Sequence, residues 1–192
     1  MPSAPLNYPG VGATQQDAAH WPAGFRRLSV RTLLGRGAED FAAAAGAVAD
    51  WRLHRAAGVR IETDAQRATP GADVVVGLGI GALRLRAPCR VVWAVAGKRR
   101  SGWAYGTLPG HPVRGEEAFV VIRDEQDTVW LDVLAFSRPA GRPAAAAGPL
   151  LPVFQHWYAR RCGRALRRLV LDARSDGGGR RHGHAGRGQT GR

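Results

Sequence analysis

The stretch 117-EAFVVIR-123, 124-DEQD-127, 128-TVWLDVLAFS-137 decides the fold. Two runs of β-branched and aromatic residues flank a short polar turn, which is the pattern of an antiparallel hairpin. The second run is apolar at both parities. Trp130, Leu134 and Phe136 fall on one side, and Val129, Leu131 and Val133 on the other. A strand apolar on both faces is covered on both. Either the N-terminal arm or a second copy in a homodimer would supply the second cover. Asp132 sits among the first set and needs a partner if it is buried.

The same rhythm continues towards the N-terminus. Residues 59–62, 72–79, 88–96 and 102–108 read as strands, separated by Thr69-Pro70-Gly71, by Gly97-Lys98-Arg99-Arg100-Ser101-Gly102 and by Pro109-Gly110-His111-Pro112. These connections leave no room for crossover helices, so the sheet is an antiparallel meander. Ahead of it come a strand over 25–34 and a helix over 38–56. Phe41, Ala45, Val48 and Trp51 lie at helical spacing in that helix, and Glu39 and Asp40 lie in its first turn. After a connector at 139–149, residues 150–171 form a long amphipathic helix. Leu151, Phe154, Tyr158, Cys162, Ala165 and Leu169 share one face, and Arg160, Arg161, Arg164, Arg167 and Arg168 lie around the other. The expected organisation is an N-terminal arm (1–24), one domain (25–171) and a disordered Gly/Arg-rich tail (172–192). The fold class is α+β. The element order is similar to that of helix-grip (START-like, birch-pollen-allergen-like) domains, in which a curved antiparallel sheet wraps around a long C-terminal helix and a cavity lies between them.

Composition bounds the function classes. The chain has 192 residues, 45% hydrophobic and 22% charged, which are globular values. Its two cysteines, Cys89 and Cys162, exclude a disulfide scaffold and an all-cysteine zinc site. No apolar run reaches the roughly 18 residues of a membrane-spanning helix. The start of the chain lacks the charged and apolar regions of a secretory signal, so a cytoplasmic setting is expected. The net charge is +13, and Lys98 is the one lysine among 28 basic residues. That skew has the look of GC-rich coding. Ten arginines and two aspartates lie between Tyr158 and Arg192, so the excess sits at the C-terminal end. Such a tail binds nucleic acid or an anionic membrane in one reading, and in the other is simply solvated.

Gly77-Leu78-Gly79-Ile80-Gly81-Ala82 matches the dinucleotide fingerprint G-x-G-x-x-A. The mechanism needs a helix to begin there. Leu83-Arg84-Leu85-Arg86-Ala87-Pro88 instead alternates and runs into proline, and no acidic residue stands about twenty positions on. A bend in the sheet fits better, and no cofactor is expected. The densest chemistry is 105-YGTLPGHPVRGEEAF-119, placed on the connection between two strands. His111, Glu116 and Glu117 are candidates for acid–base work. The two glutamates are adjacent, so in a strand they face opposite ways and do not hold one metal together. The alternative is that His111 caps a turn and a glutamate pairs with an arginine, with Arg90 and Arg138 at hand.

The segments YGTLPGHPVRGEEAFVV and VWLDVLAFSRPA, together with LNYPGVGAT, WRLHRAAGVR and LRAPCRVVWAV, resemble uncharacterised protein family 0548, a domain-of-unknown-function family of bacteria and plants. The resemblance covers roughly residues 6–171 and implies no catalytic set. The leading expectation is a cavity for a small hydrophobic or amphipathic molecule. Its candidate binding residues are Trp51, His54, Arg90, Trp93, Tyr105, His111, Glu117, Trp130, Phe136 and Ser137. The other expectations are an enzyme working through His111 with Glu116 or Glu117, and an interaction protein working through its basic tail.

Overall fold

Seven strands follow the alternating runs of the sequence in the computed structural model, which describes residues 4–78, 85–141 and 150–182. They are β1 (Arg26–Arg36), β2 (Arg60–Glu62), β3 (Asp73–Leu78), β4 (Leu85–Ala96), β5 (Arg100–Thr107), β6 (Val113–Arg123) and β7 (Thr128–Pro139). They make one sheet in the order β1-β7-β6-β5-β4-β3-β2, with every neighbouring pair antiparallel. The deciding hairpin is β6–β7, which holds register from Val113 opposite Pro139 to Arg123 opposite Val129. Strand β6 starts at Val113, so both glutamates lie inside a strand rather than on a connection. The strand β3 that carries Gly77 pairs antiparallel with β4, and Gly77 faces Arg86. The rest of the glycine fingerprint, residues 79–84, lies outside the described residues.

Two helices sit between β1 and β2, α1 (Gly37–Ala49) and α2 (Arg52–Ala56). The sequence predicts one helix here. It is broken at Trp51, which adopts a left-handed backbone (φ 62°). That conformation is costly for a bulky residue. Packing holds it there: the indole is fully buried against Trp103 and donates to the Ala65 carbonyl at 3.1 Å.

The long helix α3 (Leu150–His182) completes the helix-grip fold. Tyr158, Ala159, Cys162, Ala165, Leu166 and Val170 are buried in the core with α1, α2 and the inner face of the sheet. The helix does not end at Leu171. Arg174 reaches Asp40 on α1, its Nε 2.6 Å from Oδ1, where the tail was expected to be disordered. This guanidinium holds the Asp40 carboxyl below its usual range, helped by the Arg36 amide. The last tail residues, 183–192, lie outside the described residues. No described helix is long and apolar enough to cross a membrane.

Helix α3 crosses β1 at Gly163, where a Cβ would stand 2.3 Å from Thr32 Oγ1. Gly163→Ala improves helix propensity by about 1 kcal/mol, yet forces the helix off the strand. We expect a net destabilisation of about 1–3 kcal/mol, measured as a lower urea midpoint. An equal or higher midpoint would show that the crossing has slack.

The outer face of the sheet has its own cover. Tyr8, Ala13 and Trp21 of the arm pack with Phe136, and Phe25 meets Phe136 edge-on at 5.5 Å. The arm thus supplies a second cover for β7. Asp132, on the same face, is held by Arg31 through two bonds of 2.6 Å.

Candidate functional site

Strand alternation sorts the residues of 105–119 onto two faces. Tyr105, Glu117 and Phe119 turn inward towards α3, while Gly106, Glu116 and Ala118 turn outward. Tyr105 and Glu117 border a cavity of about 270 Å³ between the sheet and the first turns of α3. Val76, Ala87, Val113 and Ala135 form apolar walls, and Leu151, Phe154, Gln155 and Tyr158 form the helical side. A turn at Leu108–His111 closes one end, with the His111 amide donating to the Leu108 carbonyl at 3.1 Å. Pro109 fits the first central position of that turn, and Gly110 supplies the positive φ (91°) required at the second.

Glu117 is the acidic side chain turned into this cavity. Tyr105 donates its phenol to Glu117 Oε2 at 2.7 Å. Burial pushes the carboxyl up to about 7, partly countered by that hydrogen bond. Burial and the nearby carboxylate push the Tyr105 phenol well above its usual range, so it stays a donor. On the helical side the Tyr158 hydroxyl is buried beside the Cys162 thiol, and no hydrogen bond of normal geometry reaches it among the described residues. Ser137 also borders the cavity and accepts from Gln155 Nε2 at 2.9 Å. His111 accepts the Val113 amide on Nδ1 at 3.0 Å. Burial lowers its pKa to about 4, so it is neutral near pH 7. No group of three or more potential metal ligands occurs among the described residues.

Glu116 borders the cavity from β6, but its carboxylate belongs to the arm. It accepts from Tyr8 Oη at 2.8 Å, the Gly12 amide at 2.7 Å, and both the amide (3.0 Å) and the hydroxyl of Thr14. Trp93 Nε1 adds a longer contact at 3.4 Å. These partners hold the Glu116 carboxylate against the arm rather than in the cavity. The readable signal was LNYPGVGAT, whose left-handed Gly10 and Gly12 help to turn backbone N–H groups into an anion cradle.

Of the sequence-chosen residues, the cavity gathers Tyr105, His111, Glu117 and Ser137, and Glu116 borders it with its carboxylate turned to the arm. Trp93 does not join them, because a β-bulge between Val91 and Trp93 shifts the alternation of β4 and turns Trp93 outward onto Thr14. Trp130 and Phe136 lie on the outer face, Trp130 bonded to Asp124 and Phe136 under the arm. Arg90 is engaged by Asp73 and the Ala4 carbonyl. Arg138 stacks over Phe25. Trp51 and His54 are fully buried core residues behind Trp103 and Phe119. The residues of α3 that line the cavity were read only as an apolar helix face, since a cavity has no signature distinct from a core in one sequence.

Three solved structures share this arrangement at low identity. A hypothetical protein of Helicobacter pylori matches with a TM-score of 0.56 at 14% identity, over 78% of this chain and 94% of that one. A norcoclaurine synthase point mutant of Thalictrum flavum, solved with a transition-state analogue, matches with 0.55 at 10% identity, over 80% and 99%. Ara h 8.0201 matches with 0.50 at 11% identity, over 78% and 99%. At such identities the likeness shows the helix-grip fold alone. Among curated proteins, a UPF0548 protein of Deinococcus radiodurans is 46% identical over 81 residues, 42% of this chain and 41% of that protein. A UPF0548 protein of Arabidopsis thaliana is 32% identical over 74 residues, 38% of this chain and 36% of that protein. The matched parts thus span about two fifths of those relatives. Residues 7–165 match the family described as Domain of unknown function (DUF1990), and this chain belongs to that family.

Proposed function

We propose that this protein binds a small, largely apolar molecule in the cavity between the sheet and the first turns of α3. The observation that carries the reading is an apolar cavity of about 270 Å³ bordered by a buried tyrosine hydroxyl, that of Tyr158, which has only the weakly bonding Cys162 thiol beside it among the described residues. Buried polar groups are normally satisfied, and the polar end of a bound molecule would satisfy this one. Apolar walls with a few convergent polar groups are the usual make-up of a small-molecule site. A second reading is favoured by Glu117, whose carboxyl is pushed up to about 7 by burial. A group that titrates near neutrality suits general acid–base catalysis. In that reading Glu117 moves the proton, Tyr105 orients it and neutral His111 stands at the cavity's edge.

The test is titration with the neutral fluorophore N-phenyl-1-naphthylamine. The wild type is expected to show saturable one-to-one uptake. Ala135→Phe, which fills the cavity from β7, is expected to abolish it while circular dichroism stays native. Ser137→Trp blocks the same space from another position and serves if the first variant does not fold. Equal uptake by wild type and folded filled variants would place the dye elsewhere, such as on the exposed Leu150, Val153 and Trp157 of α3, and would end the cavity reading.

A further inference from the structure

We infer, resting on the cavity reading above, that the molecule bound carries a protonated amine: an organic ammonium whose apolar body fills the cavity and whose N–H groups face Glu117. The chain has 28 basic residues, yet none of the described residues lining this cavity is lysine or arginine. The two arginines nearest in expectation are engaged elsewhere, Arg90 with Asp73 and Arg138 over Phe25. A carboxylate in apolar surroundings is costly unless a cation and hydrogen bonds meet it. Glu117 has one hydroxyl donor, Tyr105, and no cation among the lining residues.

Among the described residues, the groups that face Glu117 are uncharged. They are Cys89 from β4, Tyr105 from β5, Tyr158 and Cys162 from α3, and His111 from the turn before β6. Burial pushes the thiols and phenols up and His111 down, which keeps all of them neutral near pH 7. The aromatic rings of Tyr105, Tyr158 and Phe154 border the same space, and ring faces attract cations. A ligand carboxylate would meet like charge here. A ligand alcohol would leave the carboxyl without its counter-ion.

An ammonium and a proton compete for the same carboxyl oxygens. Burial pushes the Glu117 carboxyl up to about 7. Amine affinity therefore rises with pH through that value and levels off above it.

The experiment uses the full chain, with octylamine, octanol and octanoate displacing N-phenyl-1-naphthylamine at pH 8 and pH 6. At pH 8 the wild type is expected to bind octylamine roughly tenfold or more tightly than octanol, with octanoate weakest. Glu117→Gln is expected to lose the amine preference, octylamine then binding no more tightly than octanol. At pH 6 the wild-type affinity for octylamine falls and that for octanol does not. Should Glu117→Gln fail to fold, the wild-type pH dependence decides. Octanol binding as tightly as octylamine, a preference that survives Glu117→Gln, or an amine affinity flat between the two pH values would overturn the ammonium inference and leave the cavity reading standing. If neither the dye nor any of the three ligands binds, the cavity reading falls and the inference falls with it.

Discussion

Glu116→Ala is expected to lower stability by about 3 kcal/mol, because it strands several buried donors at once. The Tyr8 hydroxyl, the Gly12 amide and the Thr14 amide and hydroxyl all converge on this one carboxylate. Burial, followed by the charge of Glu116, pushes the Tyr8 phenol far above its usual range, so it remains a donor at every working pH. Losing the acceptor leaves these groups to water, and water reaches them only if the arm lifts from the sheet. Lifting exposes Tyr8, Trp21 and Phe136, which form one buried cluster. The melting temperature of a chain this size should then fall by roughly 6–12 °C. Hydrogen exchange should increase selectively at residues 5–25 before the sheet is affected. A variant with wild-type melting temperature and a protected arm would show that Glu116 does not hold the arm in place.

Acid sensitivity traceable to His54 is the second large effect. This imidazole is fully buried among Trp51, Trp103, Tyr105 and Phe119, and neither ring nitrogen has a hydrogen-bond partner among the described residues. Burial lowers its pKa from 6.5 to about 3. The folded pKa lies below the unfolded one, so as the pH falls the unfolded chain takes up the proton first. Stability is therefore lost progressively between about 6.5 and about 3. The full effect is on the order of 5 kcal/mol, and about half of it is felt by pH 4.5. Glu117 works in the opposite direction. Its folded pKa is raised, so it favours the fold at low pH and costs stability as the pH rises from 4.5 through about 7. Comparing His54→Leu with the wild type isolates the histidine, since the other groups are common to both. Urea midpoints of the two proteins should draw apart between pH 7.5 and 4.5, with the wild type losing more. Parallel profiles would mean that the buried imidazole finds a donor or acceptor after all.

The strands were legible because their residues alternate and the turns between them are polar or glycine-rich. The element order then led to the fold. What alternation does not encode is which face turns inward. Trp93 shows why: one extra residue, Val92, between the paired positions Val91 and Trp93 reverses the phase of β4, and a bulge of that kind carries no composition signal. Phe136 and Trp130 were drawn towards the cavity by their size, although each belongs to the outer face of β7. The helix break at Trp51 was hidden because tryptophan is an ordinary helical residue, and only its tertiary contacts favour the left-handed turn. Glu117 and Tyr105 were legible as chemistry. Their pairing follows from the β5–β6 register, which places them directly opposite each other.

Strand β6 carries glutamate at two successive positions, one buried under the arm and one facing the cavity. A shift of one residue along its neighbours would keep glutamate at one of those two sites and bring Gly115 or Ala118 to the other. At that one site the sequence reads the same in either frame, so the choice of frame is a partly degenerate message there. The bits that resolve it come from elsewhere: Gly115, which lets Phe136 O approach to within 1.9 Å of where a Cβ would stand, and Phe119, whose ring fits only inside. Changing Gly115 would therefore remove punctuation as well as space, and the frame of the strand would have to be settled by its hydrophobic letters alone.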